Sequence, residues 1–580
     1  MYEGIFMKAV FCAVNSKFIH TCLAAHILIN HIDKNIFDVN LWEYSINDEI
    51  DIILKNIARS NADVYIFSVY IFNVEFIKRI ISKLKKINPA CKIILGGPEV
   101  SFDSDAFLKN NTSADFIIIG EGELVLDKLL TAIKNDSGLD AINNIAYRQG
   151  NEIISTNKSD ELISMDDIIF PYNSDNLKDF KNKIIYYESS RGCPYSCAYC
   201  MSANDKHMRY KSLAKVFNEL TFFIENKVSI VKFTDRTFNA DDIRAQKIWQ
   251  FILDNNICTT FHFEISADIL SDDSISLLNK LPLHYVQLEA GVQSAKQQTL
   301  KAVNRKTNLD KLANNLLRLT EANNMHIHTD LIAGLPYESY DDFKYSFNFV
   351  YRLNSHMIQL GFLKILKGSP MEDMVKDGGY VYDDYAPYEI IKNNWISYDE
   401  ILKLKLIESL ADRYYNCQSF THILNYIIEN YYKDNEFGFY EELGEFFNKN
   451  HYSDAKMSKS QLYTILDDFL MHKSISDNKT KALLSFDFLL NNSSPLPKSL
   501  YFNEITKNAL YELIQNNIPT LPPEYKNLPY KQLIKHLDVY EFELNPINLK
   551  TRKTYIAFFD IKQNCMNNNK KYVILNSQRS

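Results

Sequence analysis

One alternation dominates the first quarter of the chain. Short runs rich in β-formers, at residues 8–14 (KAVFCAV), 37–44 (FDVNLWEY), 64–70 (VYIFSVY), 91–97 (CKIILGG) and 115–120 (DFIIIG), are separated by stretches of helical periodicity. Several runs are apolar on both faces, as in parallel strands covered by helices on both sides. Five such units predict a doubly wound, Rossmann-like α/β sheet, whose ligands lie beyond the C-terminal ends of its strands. The loops at those ends are NSKFIH (15–20), SVYIFN (68–73), GGPEVS (96–101) and GEGE (120–123). Gly96 and Gly97 permit a close backbone approach, and Gly120 and Gly122 flank an acid at the next strand end.

Residues 1–140 are therefore read as one domain, and 141–183 as a linker, polar from 151 onward and with a hairpin at its start. A second βα series begins at 184. Its runs are KIIYYES, SIVKFTD, FHFEIS, YVQLEAGV, HIHTDLIAGL and MIQLGFLKI, and six units with a motif loop after the first predict an open, partial (β/α)6 barrel to about residue 375. Residues 376–580 change to amphipathic helices, such as 400–415 and 461–473. They return to strand-like runs at 539–544 and 554–561, after the connector IPTLPPEY. No repeat of fixed period and no low-complexity tract occurs.

With 46% hydrophobic and 23% charged residues, the 580-residue chain has a globular composition, which excludes a fibrous or disordered protein. Its 64 Lys+Arg against 72 Asp+Glu leave a net charge of −8, without the basic surplus that phosphate neutralisation requires, so no nucleic-acid partner is expected. The longest apolar run, residues 64–72, is broken by Ser68 and falls far short of the ~18 residues of a membrane span. MYEGIFMKAVF has an acid before a short apolar run and no cleavage site, unlike a secretory signal. A soluble, cytoplasmic protein without membrane contact is expected. Of nine cysteines, Cys12, Cys22, Cys91, Cys258, Cys417 and Cys565 are scattered and three cluster at 193, 197 and 200, a pattern of reduced thiols with a metal site.

The cluster reads Cys193-Pro-Tyr-Ser-Cys197-Ala-Tyr-Cys200, directly after an apolar strand and Arg191-Gly192. Three thiolates round one centre select an iron–sulfur cluster or zinc. Zinc would need a fourth ligand, for which only His207 is near in sequence. Three ligands on a cubane leave one iron open for reaction. This triad after the first barrel strand resembles the signature of the radical S-adenosylmethionine enzymes. The resemblance implies a 4Fe-4S cluster on Cys193, Cys197 and Cys200, with Tyr199 against the adenine of S-adenosylmethionine. It places FTDRTFN (233–239), which lacks the family's paired glycines, near the methionine amino group with Asp235 as acceptor. It further implies a cofactor contact at Glu289 in QLEAGVQS, a ribose contact at Asp330 in TDLIAGLP, and a backbone approach to the adenine at Gly334. The chemistry implied is one-electron reduction of the cluster, cleavage of the sulfonium and release of a 5′-deoxyadenosyl radical. No catalytic residue is assigned beyond the cluster.

On its GGPEVS and GEGE loops, the N-terminal sheet resembles the cobalamin-binding domains that precede some radical S-adenosylmethionine barrels. The resemblance implies cobalamin contacts from Asn15, Lys17, Ser68, Tyr70, Gly96, Gly97, Pro98, Glu99, Gly120, Glu121, Gly122 and Glu123. The chain lacks an Asp-x-His-x-x-Gly loop, which implies a base-off cobalamin without a His ligand; His20, the one nearby rival, reads as a packing or capping residue. Resemblance covers about residues 7–375. The last third resembles an appended, mainly helical domain of uncharacterised function. Together these features imply methylation of an unactivated carbon through methylcobalamin, with a reductant such as flavodoxin or ferredoxin. The alternatives are a cobalamin-dependent rearrangement or cyclisation, and a non-catalytic cofactor-binding regulator. Methylthiolation of RNA is disfavoured, because Cys12, Cys22 and Cys91 read as ordinary buried thiols and no small basic C-terminal barrel is evident. The substrate is not specified by any motif.

Overall fold

The computed structural model describes residues 7–453, 456–497, 500, 505–559 and 570–576; Cys565 lies outside them. The chain forms two units. The first comprises residues 1–343, 353–355 and 360–398, and the second 344–352, 356–359 and 399–580.

The first sheet has the order β2-β1-β3-β4-β5-β6-β7. Strands β1 (Met7–Asn15), β2 (Phe37–Ser45), β3 (Val64–Ser68), β4 (Lys92–Gly96) and β5 (Phe116–Ile118) are parallel. Every residue of β3 is buried, as expected of a strand covered on both faces. One core packs Tyr65, Phe67, Ile77, Ile80 and Leu84 on one side, and a second packs Val64, Ile66, Leu126, Leu129 and Leu130 on the other. Strand order reverses between β1 and β3, so the ligand crevice of a sheet like this lies beyond Asn15 and Ser68.

The hairpin expected inside the linker belongs to this sheet. Strands β6 (Ile145–Gln149) and β7 (Glu152–Ser155) add antiparallel to β5, pairing Phe116 with Tyr147 and Ile118 with Ile145. The reason is burial: the three-residue β5 is fully covered, and Ile145 and Ala146 are themselves buried, which a free linker would not provide. The rest of the linker is also packed, with Ile163, Met165 and Ile168 against Ile27.

The second sheet runs β13-β12-β11-β10-β9-β8, in strict sequence order. Its strands are β8 (Ile185–Tyr187), β9 (Ile230–Phe233), β10 (Thr260–Ile265), β11 (Val286–Gln293), β12 (His326–Ala333) and β13 (Met357–Phe362), and the β8 to β12 pairs are parallel. Helices Leu213–Glu225, Asp242–Asn255 and Leu309–Ala322 begin where Ser212, Asp241 and Asn308 accept hydrogen bonds from the backbone N–H groups of Lys215, Arg244 and Lys311. In β11 and β12 buried residues alternate strictly with half-buried ones. Val286, Leu288, Ile327 and Leu331 therefore face the covering helices, and Glu289, His326, His328 and Asp330 face the opposite side, the inner face of the partial barrel.

The second unit contains helices Thr421–Tyr431, Glu436–Lys449, Lys459–His472, Asn478–Asn491 and Lys507–Asn517, followed by an antiparallel sheet of Leu537–Phe542, Thr554–Phe559 and Lys571–Leu575. Capping boxes at Ser458/Gln461 and Asp477/Thr480 start two of these helices. Among the described residues, no helix is long and apolar enough to cross a membrane.

Candidate cofactor and active site

The cysteine loop leaves β8 under tight backbone control. Ser190 and Arg191 pair antiparallel with Tyr210 and Arg209. Gly192 follows at φ +93°, where a Cβ would lie 2.4 Å from the His207 carbonyl oxygen, so this crossing requires glycine. Backbone hydrogen bonds from Cys193 to Asp205 (2.9 Å), from Ala198 to Val303 (2.9 Å) and from Met371 to Ala198 (3.0 Å) fix the rest. Cys193 and Cys197 are buried and Cys200 is partly exposed; all three are free thiols. Among the described residues, the one His, Cys, Asp and Glu group whose ligand atoms all lie within 4.8 Å of one another is His262, Glu289 and His328, and it contains none of the cysteines. Thiolates round a single zinc sit about 4 Å apart, given a Zn–S bond of ~2.3 Å. Three thiolates are the donor set of an iron–sulfur cluster with one iron left open.

Arg305, which the sequence reading did not single out, completes this loop. Its Nη1 donates to the Tyr199 hydroxyl (3.2 Å) and to Cys197 Sγ (3.9 Å), and its Nη2 donates to the Gly291 carbonyl. Asp235 lies against the start of the cysteine loop. Its carboxylate accepts from Ser189 N (2.9 Å), Ser189 Oγ (2.7 Å) and Ser190 Oγ (2.5 Å), and it is fully buried. These bonds make Asp235 a brace for the start of the cysteine loop. Gly334, at φ +91°, is likewise covered: a Cβ would lie 2.9 Å from Ile390, and its carbonyl accepts from Asn393 Nδ2 (2.9 Å).

Across the barrel's inner face polar residues form cross-strand rows. Tyr186, Lys232, His262, Gln287 and His326 stand in register; Glu264, Glu289 and His328 form the next row, and Gly291 and Asp330 the one beyond. Glu289 Oε2 accepts from Lys232 Nζ (2.9 Å) and contacts His262 Nε2 (3.0 Å). Burial raises the Glu289 carboxyl, but the hydrogen bond from His262 and the charge of Lys232 outweigh it and bring it down to about 2. Asp330 is pushed up to about 8, first by burial and then by the negative charges of Glu289 and Glu264. Its Oδ1 is buried with no protein partner, a vacancy of the kind a ligand hydroxyl fills.

At the edge of the first sheet, Asn73 locks two of the ligand-side loops. Its Nδ2 donates to the Val14 (2.8 Å) and Ser68 (3.1 Å) carbonyls, and its Oδ1 accepts from Tyr70 N (2.8 Å). Asn15 Nδ2 donates to the His20 carbonyl (3.1 Å), Lys17 is exposed, and Ser68 Oγ lies 3.3 Å from Cys22 Sγ. Tyr70 stacks on Phe72, with centroids 5.4 Å apart, and Phe72 and Phe18 are exposed, which gives this edge an apolar surface suited to a corrin. Gly97, at φ +112°, would place a Cβ 2.5 Å from the Val69 carbonyl oxygen, whereas Gly120, at φ +80°, meets nothing within 4 Å. Pro98 begins a one-turn helix after Gly97.

The acids of these loops are paired within the protein. Glu99 is buried, bonded to the Tyr388 hydroxyl and paired with Lys367 Nζ at 3.1 Å. Glu121 pairs with Arg191 (2.9 Å) and Arg209, and Glu123 with Arg191 (2.5 Å). Gly122 packs on Leu28. Arg191 also holds Glu188 (2.8 Å). One guanidinium two residues before Cys193 thus ties the GEGE loop to the cysteine loop. His20 caps no helix; its Nδ1 lies 2.7 Å from the Tyr186 hydroxyl.

Of the residues missed by sequence reading, Arg191, Lys232, His262, His328 and Arg305, only His262 and His328 lie in runs that carried a signal. FHFE, QLEA and HIHTD alternate polar and apolar residues, the mark of a polar inner face.

Three family models match separate stretches of the chain. The B12 binding domain family matches residues 10–130, the radical SAM superfamily 187–350, and a protein of unknown function family, DUF4080, 376–558. The 2-(S-pantetheinyl)-carbapenam-3-carboxylate methyltransferase of Streptantibioticus cattleyicolor is 24% identical over 340 residues, 55% of this chain and 50% of that protein. The anaerobic magnesium-protoporphyrin IX monomethyl ester cyclase of Synechocystis sp. is 26% identical over 245 residues, 40% of this chain and 49% of that protein. The chain spans about half the length of these two relatives. The solved structure of OxsB, a cobalamin-dependent S-adenosylmethionine radical enzyme, aligns with 83% of this chain and 79% of that one, at a TM-score of 0.59 and 17% identity.

Proposed function

The chain is a cobalamin-binding radical S-adenosylmethionine protein with a C-terminal DUF4080 region, and on that premise we propose that it methylates an unactivated carbon of its substrate. The observation that carries the reading is the Arg191 anchor, which joins the loop after β5 to the loop of Cys193, Cys197 and Cys200. A transfer from corrin to substrate radical needs the two cofactor edges held in one register, and this contact supplies it. When bound, the cluster supplies the electron that cleaves S-adenosylmethionine, and cobalamin supplies the methyl group. Cys193, Cys197 and Cys200 hold the cluster, Arg305 positions Tyr199 beside it, and Asp330 Oδ1 takes a ribose hydroxyl. Tyr70 and Phe72, with Asn15, Lys17 and Ser68, would hold cobalamin, and no His would be needed as a cobalt ligand. Flavodoxin or ferredoxin supplies electrons, in a cytoplasmic, anaerobic setting.

A second reading, cyclisation or rearrangement without methyl transfer, is favoured by the likeness to the magnesium-protoporphyrin ester cyclase. The test is anaerobic incubation of the cobalamin-loaded protein with dithionite and S-adenosylmethionine. S-adenosylhomocysteine together with 5′-deoxyadenosine supports methylation, because methyl recharge and radical initiation leave different remnants. 5′-Deoxyadenosine alone favours the second reading. No excess of 5′-deoxyadenosine over a Cys197→Ala control points to a non-catalytic binder.

A further inference from the structure

The inner face of the barrel brings together three donors outside the cluster and the corrin, one of them Glu289, for which the resemblance implies a contact with S-adenosylmethionine. His262 on β10, Glu289 on β11 and His328 on β12 offer one ligand atom each, all within 4.8 Å of one another. Glu289 and His328 are register partners, and the His262 and His328 rings stand edge to face with centroids 5.5 Å apart at 85°. All three side chains rise from paired parallel strands, a rigid base for a preorganised site. Two imidazoles and a carboxylate form a donor set for borderline divalent metals such as zinc, cobalt or ferrous iron, and three protein ligands leave coordination positions open.

A cation already occupies the neighbouring position. Lys232 Nζ lies 2.9 Å from Glu289 Oε2, and it has a second carboxylate, Glu264, at 4.0 Å. An incoming metal can therefore take Glu289 while the ammonium keeps an acidic partner. We infer that His262, Glu289 and His328 form a binding site for one divalent transition-metal ion, separate from the cluster, for which Lys232 competes. The open positions of that ion face the lumen, where an oxygen or nitrogen donor of a bound substrate would complete its coordination.

The test uses the full chain, purified anaerobically with its cluster reconstituted, dialysed against micromolar zinc and desalted; zinc and iron are counted by mass spectrometry. One zinc per chain is expected in addition to the cluster iron. His262→Gln and His328→Gln should each weaken zinc binding at least about tenfold with iron unchanged. A Cys193→Ser/Cys197→Ser/Cys200→Ser variant should lose iron and keep zinc, which separates this site from the cluster and from any failure of the functional reading. Lys232→Met should tighten zinc binding about tenfold, since it removes the competing charge. No zinc on the wild type, zinc lost with the cysteines, or zinc unchanged in both histidine variants overturns the proposal. Should both histidine variants lose iron as well, Lys232→Met decides: tighter binding supports the site, and unchanged or weaker binding overturns it.

Discussion

The two ligand-bearing edges of the first unit use their polar residues in opposite ways. At the edge of the N-terminal sheet, the acids that look most like ligand contacts are occupied by the protein itself: Glu99 by Lys367 and Tyr388, Glu121 and Glu123 by Arg191 and Arg209. The rings of Phe18 and Phe72 are exposed there, and the half-buried Tyr70 stacks on Phe72. On the inner face of the barrel the polar residues stay turned inward, and at least one atom, Asp330 Oδ1, has no protein partner. The contrast follows from the chemistry each edge has to serve. A broad, flat ligand is held by area and shape, and charges beside it are free to lock the scaffold. A small polar cofactor is held by a few convergent groups that must remain available.

The most damaging way to break this comparison is to remove the lock. Arg191 faces Glu121, Glu123 and Glu188 and is 14% exposed. Its loss would leave three carboxylates crowded together, a cost of about 3–5 kcal/mol for stranding one side of a buried ion pair. Urea unfolding of Arg191→Ala should show that loss, with a smaller one for Arg191→Lys, which keeps the charge and loses the fork. Burial raises the Glu123 carboxyl, but the Arg191 charge holds it below the usual range. A carboxyl depressed in the folded state stabilises above its unfolded value, so the contribution is complete at neutral pH and fades as the pH falls below about 4.5. Unchanged stability in Arg191→Ala would mean that the acids of GEGE are not structural after all.

That lock was invisible in the sequence for a simple reason. Glu123 and Arg191 are 68 residues apart, Glu121 and Arg209 88, and neither end carries a local pattern that names the other. Features set by neighbours along the chain were legible: the β1 to β5 runs, the helix Leu213–Glu225 that starts on Ser212, and the spacing of Cys193, Cys197 and Cys200. Asp235 shows the limit from the other side. Its position after β9 was readable, but its partners Ser189 and Ser190 come from another strand end and decide what the carboxylate does. Arg305 had no signal at all, since its role depends on meeting Tyr199 and Cys197 across the barrel.

The barrel half of the comparison is sharpened by pH. With Asp330 raised to about 8, the folded protein keeps a proton that the unfolded chain releases near pH 4. Between those values the unfolded state binds fewer protons, so stability falls as the pH rises. Asp330→Asn should flatten that decline and add about 1–3 kcal/mol at pH 9, the usual cost of an unpaired buried polar group. The same variant should weaken S-adenosylmethionine binding, measured by calorimetry. A steeper decline in the variant would show that the carboxylate is satisfied within the protein, and the contrast between the two edges would be lost.

Two glycines divide scaffold from opening within the N-terminal edge itself. Gly97→Ala drives a Cβ against the Val69 carbonyl in a left-handed backbone, and should cost about 2–3 kcal/mol and displace the loop. Gly120→Ala meets nothing within 4 Å and should cost only the conformational penalty of about 1 kcal/mol. Thermal unfolding and cobalamin retention measured on both would separate them. Equal losses would mean that contact with Val69 is not what fixes GGPEVS.

The smallest expected effect falls on His20, and it tests whether the corrin edge uses any protein ligand to cobalt. Burial, with help from Lys17 and Lys232, lowers the His20 imidazole below its usual range, so near neutral pH it is unprotonated and chemically able to bind a metal. Geometry is what commits it elsewhere, since Nδ1 is 2.7 Å from the Tyr186 hydroxyl on the first barrel strand. His20→Ala should cost under about 1 kcal/mol, the worth of one ordinary hydrogen bond. It should also leave the absorption spectrum of bound cobalamin unchanged. In the cob(II)alamin state, electron paramagnetic resonance should show no nitrogen splitting in the wild type. Tyr186→Phe frees the imidazole without moving it far, and is the sharper variant. Nitrogen splitting that emerges only in Tyr186→Phe would show that Tyr186, and not the absence of a histidine, keeps cobalt without a protein ligand.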